Sequence, residues 1–407
     1  MIIGIDASRA FVRDKTGTET YSYHLIKSML RLPKSRQHTF VLFIRPNAVL
    51  PKYLDVYTNV IVKEVKWKYL WTQVGLAWET WKAQTHPVCG SPSHRVCRGL
   101  DVLWVPAHTL PVLRRPGLKT VVTIHGLEYQ WLREYKNWLQ RWYLPLSTFY
   151  AAKSADKLIA VSKFSAKQLE KELHTIANKI KVIYEGTESH SRRIHTPGVK
   201  GAHTPGVLGK HGLQDKNYVL FVGSIQPRKN LVALIEAFSH TDLDKLVIAG
   251  GVGWMTEDIF KAPSKFGVQE KVVFTGRVSD LELRALYSGT MMYVQPSITE
   301  GFGLPVLEAM AAGVPVITSD GGALGEVVGE AGVVVELGSH FVGELARAME
   351  RVASEPELRK KLISMGYRRV KEFSWDKAAK ATLDVIVGEG YNLRSRKFQI
   401  PNSKFQI

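Results

Sequence analysis

The run Met291-Met-Tyr-Val-Gln295-Pro-Ser-Ile-Thr-Glu300-Gly-Phe-Gly-Leu-Pro305-Val-Leu-Glu308 places two carboxylates, Glu300 and Glu308, eight residues apart across a glycine-rich loop. Met291 to Gln295 is strand-like, and Pro305 suits a first helical position. Gly313 suits a helix C-cap, and Val314 to Thr318 reads as the next strand. The pattern is therefore strand, glycine loop, helix, strand. In an open α/β sheet ligands bind at the carboxyl ends of strands, where helix N-termini offer free amides to phosphate. Two carboxylates there suit hydroxyl recognition, because a carboxylate accepts hydrogen bonds from sugar or ribose hydroxyls. The same residues also allow a plainer reading, with Glu308 complementing the helix dipole and Glu300 a solvated loop residue.

The rest of the chain repeats this alternation. Short β-rich runs fall at Ile2–Ile5, Phe40–Ile44, Val60–Val65, Val102–Val105, Val121–Ile124, Leu158–Val161 and Val182–Tyr184. A second series falls at Tyr218–Val222, Leu246–Ala249, Val272–Thr275, Met292–Gln295, Val316–Thr318 and Val333–Val335. Helical patterns between them argue for parallel sheets of βαβ units. His190 to Leu213 divides the series. It is rich in His, Gly and Pro, contains His-Thr-Pro-Gly-Val at 195 and again at 203, and reads as a linker with little core-forming capacity. The predicted class is α/β, with two Rossmann-like domains facing across a cleft.

Several segments together resemble the retaining glycosyltransferases of family 4, the group 1 glycosyltransferases, which have the GT-B fold. Glu300 to Glu308 resembles their E-x7-E motif, and the likeness runs on through Ala309-Met-Ala-Ala-Gly313-Val-Pro-Val-Ile. It includes Gly276-Arg277-Val278-Ser-Asp280, Gly223-Ser-Ile-Gln-Pro-Arg228-Lys229-Asn230, Thr123-Ile-His125-Gly126, Val161-Ser162-Lys-Phe164-Ser165 and Ile180-Lys-Val-Ile-Tyr-Glu-Gly186. One departure is Gly325, where the family usually has a Pro before the Glu at 326. The resemblance implies an N-terminal acceptor domain over 1–188, a linker over 189–216 and a nucleotide-sugar domain over 217–375. A C-terminal helix over 376–390 would cross back to the first domain, and 391–407 would form a basic tail, in which Lys-Phe-Gln-Ile occurs twice.

Sugar transfer from a nucleotide requires the departing diphosphate to be stabilised, and cations placed where that charge grows are often the largest contribution. Arg228 and Lys229 follow a strand and precede a helix, which suits them to this task, and the resemblance places both on the pyrophosphate. Gly301, Phe302, Gly303 and Leu304 would add backbone amides at the helix start. By the same resemblance Glu308 takes the ribose hydroxyls, Glu300 the transferred sugar, and His125 the donor sugar from a strand-end loop of the first domain. Gly17-Thr18, in the loop before a helix beginning near Glu19, would let amides approach the donor phosphates or the acceptor. The resemblance implies a nucleotide-diphosphate sugar as donor, no cofactor and no metal. It implies retention by a same-face displacement in which the leaving phosphate takes the acceptor proton. A GT-B epimerase or phosphorylase, or a silent nucleotide-sugar-binding module, are the alternative readings. GDP-mannose is the first donor choice on family frequency, ahead of UDP-glucose, UDP-N-acetylglucosamine and dTDP-rhamnose. The acceptor is read as a glycan or a lipid-linked one in cell-envelope polysaccharide synthesis.

Composition bounds the partners. The 407 residues allow two domains, and 45% hydrophobic content is ordinary for a globular chain. The net charge of +18 suits phosphorylated ligands or an anionic membrane surface. No nucleic-acid-binding signature accompanies it, so nucleic acid is the weakest of the three readings of this charge and no nucleic-acid partner is expected. Cys89 and Cys97, with His86 and His94, match no common zinc spacing and read as free cytosolic thiols. No apolar run reaches a membrane span, and Met1 to Asp6 reads as a first strand, so a cytoplasmic location is expected, peripheral to the inner face of the plasma membrane. Eight of the ten tryptophans lie between 67 and 142. Trp71, Val74, Trp78 and Trp81 recur at helical spacing, as do Trp131, Tyr135, Trp138 and Trp142, the latter interleaved with Arg133, Lys136 and Arg141. Such stripes serve core packing or, as the acceptor-side expectation here, contact with a glycan or membrane interface.

Overall fold

The computed structural model describes residues 1–13, 15–67, 69–82, 84–85, 97–127, 138–187 and 205–388. The expectations for the zinc candidates Cys89, His86 and His94, for Trp131 and Tyr135, for the first His-Thr-Pro-Gly-Val copy and for the basic tail fall outside these residues.

Two parallel sheets organise the chain. The first contains β1 (Ile2–Asp6), β2 (Thr39–Ile44), β3 (Val60–Glu64), β4 (Val102–Val105), β5 (Lys119–Ile124), β6 (Lys157–Ala160) and β7 (Ile180–Val182), in the order β3-β2-β1-β4-β5-β6-β7. The second contains β8 (Tyr218–Val222), β9 (Lys245–Ala249), β10 (Val272–Gly276), β11 (Met292–Gln295), β12 (Val316–Ser319) and β13 (Val333–Val335), in the order β10-β9-β8-β11-β12-β13. Both orders reverse direction beside their first strand, the signature of a doubly wound sheet. The central strands are buried on both faces, which is why they read as continuous apolar runs rather than alternating ones.

The helices that matter for the site are α1 (Gly17–Arg31), α2 (Trp138–Ser154), α3 (Lys163–Glu172), α4 (Leu231–Ser239), α5 (Leu304–Ala311), α6 (Leu324–Val328) and α7 (Trp375–Val387). A capping box starts α1: Glu19 accepts from the Thr16 amide while the Thr16 hydroxyl serves the third helical amide. This moves the helix start to Gly17, so Gly17 and Thr18 form the first helical turn and not the loop before it. Pro305 sits one residue inside α5, not at its first position. Ala312 is the cap, and Gly313 follows at φ +74°.

Two further expectations are corrected. The edge strand β7 is Ile180–Val182, two residues earlier than read. The segment taken as a linker carries a helix, Pro205–Lys210, whose Leu208 is buried, as is Leu213 just beyond it. Both side chains join the core that also contains Tyr218 and Leu286.

The chain passes between the units twice, and the passes touch. Thr187 bridges Ser374 in parallel, and a Cβ on Gly186 would lie 2.2 Å from the Trp375 amide nitrogen. Helix α7 then packs on α1. The Trp375 ring stacks on His24 at 5.4 Å, and Lys34 pairs with Asp384 at 2.7 Å.

Candidate active site

The loops after β8 and β11 lie side by side, because these strands flank the point where the second sheet reverses. The β8 loop ends in a tight turn, Pro227–Lys229, with Asn230 left-handed at φ 56°. That turn points Arg228 and Lys229 inward, and both are buried. The β11 loop delivers Glu300 to the same place, also buried.

The Glu300 carboxylate accepts from four donors. Arg228 Nη1 reaches its Oε2 at 2.9 Å. Lys229 Nζ, Gln295 Nε2 at 2.9 Å and Ser297 Oγ at 2.7 Å converge on its Oε1. Arg228 Nη1 also donates to the Thr299 carbonyl at 3.1 Å. Burial opposes ionisation of this carboxyl, but the Lys229 and Arg228 charges and the hydrogen bonds outweigh it and hold the pKa down to about 2. Glu300 is therefore not a solvated loop residue, and Arg228-Lys229 is not a solvated basic turn. In this structure Glu300 orients the two cations.

Two glycines make the loop geometry feasible. Gly303 has φ +108°, a conformation that side chains rarely adopt, and it immediately precedes α5. Gly301 lies against the first unit so closely that a Cβ there would sit 1.7 Å from the His125 carbonyl oxygen. Phe302 between them is buried, its ring 5.8 Å from Phe373 and 6.3 Å from Tyr184. Glu308, one turn into α5, is half-buried and accepts from the Tyr287 hydroxyl at 3.1 Å. Burial and the Glu308 charge push that hydroxyl's pKa up.

His125 stands at the end of β5, where Gly301 touches its backbone. Its ring turns into the first unit: Nδ1 lies 3.1 Å from Glu185 and Nε2 lies 3.0 Å from the Pro106 carbonyl. The Tyr21 ring meets it edge-on at 4.6 Å. Both polar neighbours are acceptors, so a neutral ring donates to one of them only. His108 lies 5.9 Å away, its pKa lowered to about 3 by burial.

The structure thus brings Arg228, Lys229, Glu300, Gly301 and His125 into one locality, with Phe302 to Glu308 beside it. Gly17 is exposed at the start of α1, and no neighbour crowds it. The aromatic stripes divide. Trp71 is buried against the Val65 carbonyl, whereas Trp78, Trp81 and Trp142 are exposed, Trp142 by 67%. Trp138 begins α2, and its side chain lies outside the described residues. Among the described residues no group of three His, Cys, Asp or Glu side chains could hold a metal ion.

Residues not singled out for a role also belong here. Glu185, Ser162, Ser165 and Glu326 lie within segments noted for their resemblance, but their partners are distant in sequence. Gln295 and Ser297 were visible only as a strand end and a turn.

Residues 208–369 match the family model described as glycosyl transferases group 1, and residues 16–190 match that of glycosyltransferase family 4. An uncharacterized glycosyltransferase of Methanocaldococcus jannaschii is 32% identical over 308 residues, 74% of this chain and 72% of its own. The O-antigen chain mannosyltransferase B of Escherichia coli is 28% identical over 271 residues, covering 65% and 69%. In fold, the sucrose-phosphate synthase of Thermosynechococcus elongatus superposes with a TM-score of 0.68 over 95% of this chain and 98% of that one, at 20% identity. The chain belongs to the group 1, family 4 glycosyltransferases and carries their GT-B fold.

Proposed function

We propose that this glycosyltransferase moves a hexose, with retention of configuration, from a nucleotide-diphosphate sugar to a glycan or lipid-linked acceptor of cell-envelope polysaccharide synthesis. GDP-mannose is the favoured donor, supported by the likeness to an O-antigen chain mannosyltransferase. The observation that carries the reading is the pair of buried cations, Arg228 and Lys229, at the switch point of the second sheet. Two adjacent buried cations converge there on one carboxylate, placed to meet the charge of a departing diphosphate.

In the transfer the bond from the anomeric carbon to the β-phosphate oxygen breaks, and its electron pair leaves with the diphosphate. The acceptor hydroxyl oxygen bonds to the same face of that carbon, and its proton passes to the departing phosphate oxygen. Arg228 and Lys229 stabilise the departing charge, and amides of Gly301 to Leu304 assist at the start of α5. Glu308 takes the ribose hydroxyls. Glu300 holds the cations in place and, once the diphosphate shares them, turns an oxygen to the sugar. His125 is read as the sugar contact from the first unit, a role that requires its ring to leave Glu185 or the Pro106 carbonyl. Gly17 and Thr18, as the first turn of α1, present amides to the donor phosphates or the acceptor.

The acceptor side is assigned to the exposed aromatic wall of the first unit, at the inner face of the plasma membrane. Gln73 joins its parts by donating to the Leu110 carbonyl at 3.1 Å and to the Tyr143 hydroxyl at 3.4 Å. Trp81 donates to the Leu113 carbonyl at 3.1 Å. Lys82 lies over Trp78 and Lys153 over Phe149, so cations and exposed rings alternate, as suits an anionic headgroup layer. No helix among the described residues is long and apolar enough to cross a membrane.

Thermal-shift screening against GDP, UDP, dTDP and their sugars tests the donor assignment, since a bound donor stabilises the fold. A rise with GDP-mannose above the others supports it, and no response to any nucleotide defeats the reading. Flotation with anionic liposomes tests the wall. Binding lost in Trp78→Ala with Trp142→Ala supports it, and no binding by the wild type removes it.

A further inference from the structure

The first turn of α3, in the first unit, is capped from the second. Helix starts leave backbone N–H groups without helical partners. Here the Ser165 amide donates to Ser162 Oγ at 2.9 Å, the ordinary cap. The Lys163 and Phe164 amides instead donate to the two carboxylate oxygens of Glu326, at 2.9 and 3.2 Å. The Tyr184 hydroxyl donates to the same carboxylate at 2.7 Å. A negative charge at a helix N-terminus also gains from the helix dipole. Glu326 is 162 residues from Phe164, so this cap exists only while the two units are together.

The cap is tied to the Glu300 loop by separate bonds. Ser162 Oγ donates to the Gly301 carbonyl at 2.7 Å, and Ser165 Oγ donates to it at 3.2 Å. On the other side Ala323, just before α6, donates its amide to the Glu300 carbonyl at 2.9 Å. Helix α6 is itself anchored: Arg369 donates to the Glu326 and Val327 carbonyls at 2.6 and 2.9 Å while lying 4.9 Å over the Phe373 ring. The Tyr184 ring packs at 5.6 Å on Phe373, completing a closed circuit.

We propose that Glu326 is a positioning residue: by capping α3 across the interface it holds the Glu300 loop against the His125 end of the first sheet in the transfer-competent arrangement. It touches neither donor nor acceptor. Its loss would loosen the Glu300 loop against the first unit, while Arg228, Lys229 and the α5 amides, all in the second unit, still bind nucleotide.

The kinetic part of the test rests on the glycosyl-transfer reading, and the exchange part does not. Amide exchange over 162–172 is measured for the wild type, Glu326→Ala and Glu326→Gln. Kd for GDP and UDP, and kcat with the donor found by the screen, are measured alongside. The Ala variant is expected to exchange the Lys163 and Phe164 amides about tenfold faster or more, the loss of one charge-assisted hydrogen bond. It is expected to lose about tenfold or more in kcat with Kd within about threefold of wild type. Glutamine keeps one acceptor oxygen, so it should fall between the two in both readouts and covers the case where the Ala variant folds poorly. Unchanged exchange in both variants overturns the proposal, as does faster exchange with unchanged kcat. If the wild type transfers no sugar, the exchange result still decides whether the latch exists, and it is the transfer reading that fails.

Discussion

Replacing Glu300 by Gln removes one charge and almost no volume, so its effect isolates electrostatics. The wild-type carboxylate receives Arg228 on Oε2 and three donors on Oε1. A glutamine oxygen can keep one side, but its NH2 then faces a donor on the other. Its side chain is buried, and breaking a buried ion pair leaves uncompensated charge, costing roughly 3–5 kcal/mol. The lowering of the Glu300 pKa from 4.5 to about 2 by the two cations corresponds to roughly 3 kcal/mol of folded-state preference for the ionised form. Since the folded pKa is the lower one, this stability is fully present above about pH 4.5 and is lost as pH falls towards 2. At pH 7 urea unfolding should show Glu300→Gln with a midpoint lower by about 1–2 M, taking a slope of roughly 2–3 kcal/mol per M. A nucleoside diphosphate should restore more stability to the variant than it adds to the wild type, because it supplies the missing anion. An unchanged urea midpoint, or a smaller nucleotide effect in the variant, would refute the view that Glu300 holds the cations.

Gly301→Ala should lower kcat by about tenfold or more and leave nucleoside diphosphate affinity within a few-fold, since its Cβ can fit only by moving the His125 backbone away. Undiminished turnover would contradict the close approach. His38 is buried with neither ring nitrogen bonded, and burial lowers its pKa from 6.5 to about 4. The folded state then binds fewer protons than the unfolded chain, so stability falls as pH drops below 6.5, by about 2 kcal/mol at pH 5. His38→Phe should flatten that slope in pH-dependent unfolding, and an unaltered slope would count against it.

Much of the fold was legible because buried parallel strands are continuous apolar runs: the β8, β11 and β13 bounds coincide with the sequence reading. The edge strand β7 is the exception. Its residues are only half-buried at the sheet edge, and the β-prone Tyr184 drew the reading outward, whereas Tyr184 actually serves the interface. Pro205–Lys210 has a loop-like sequence because Pro and Gly dominate it, and burial of Leu208 within it and Leu213 beyond it outweighs them. The period of Trp71, Val74, Trp78 and Trp81 suggests one helical face. A π-turn over Trp71–Leu76 followed by α-helix instead sends Trp71 inward and the other two tryptophans out. At the site, strand-end position located the residues, but not their partners. Glu300 meets Lys229 across 71 residues, and Glu326 meets Phe164 across 162. Such pairings follow from strand order, which local pattern does not encode.

Calorimetric titration of GDP and UDP into the wild type, Lys229→Ala and Arg228→Ala with Lys229→Ala tests the central claim most directly. Cations that hold the diphosphate predict saturable binding to the wild type, about tenfold or more weaker in Lys229→Ala and weaker still in the double variant. Equal affinity in all three, in proteins with folded circular-dichroism spectra, would contradict the account.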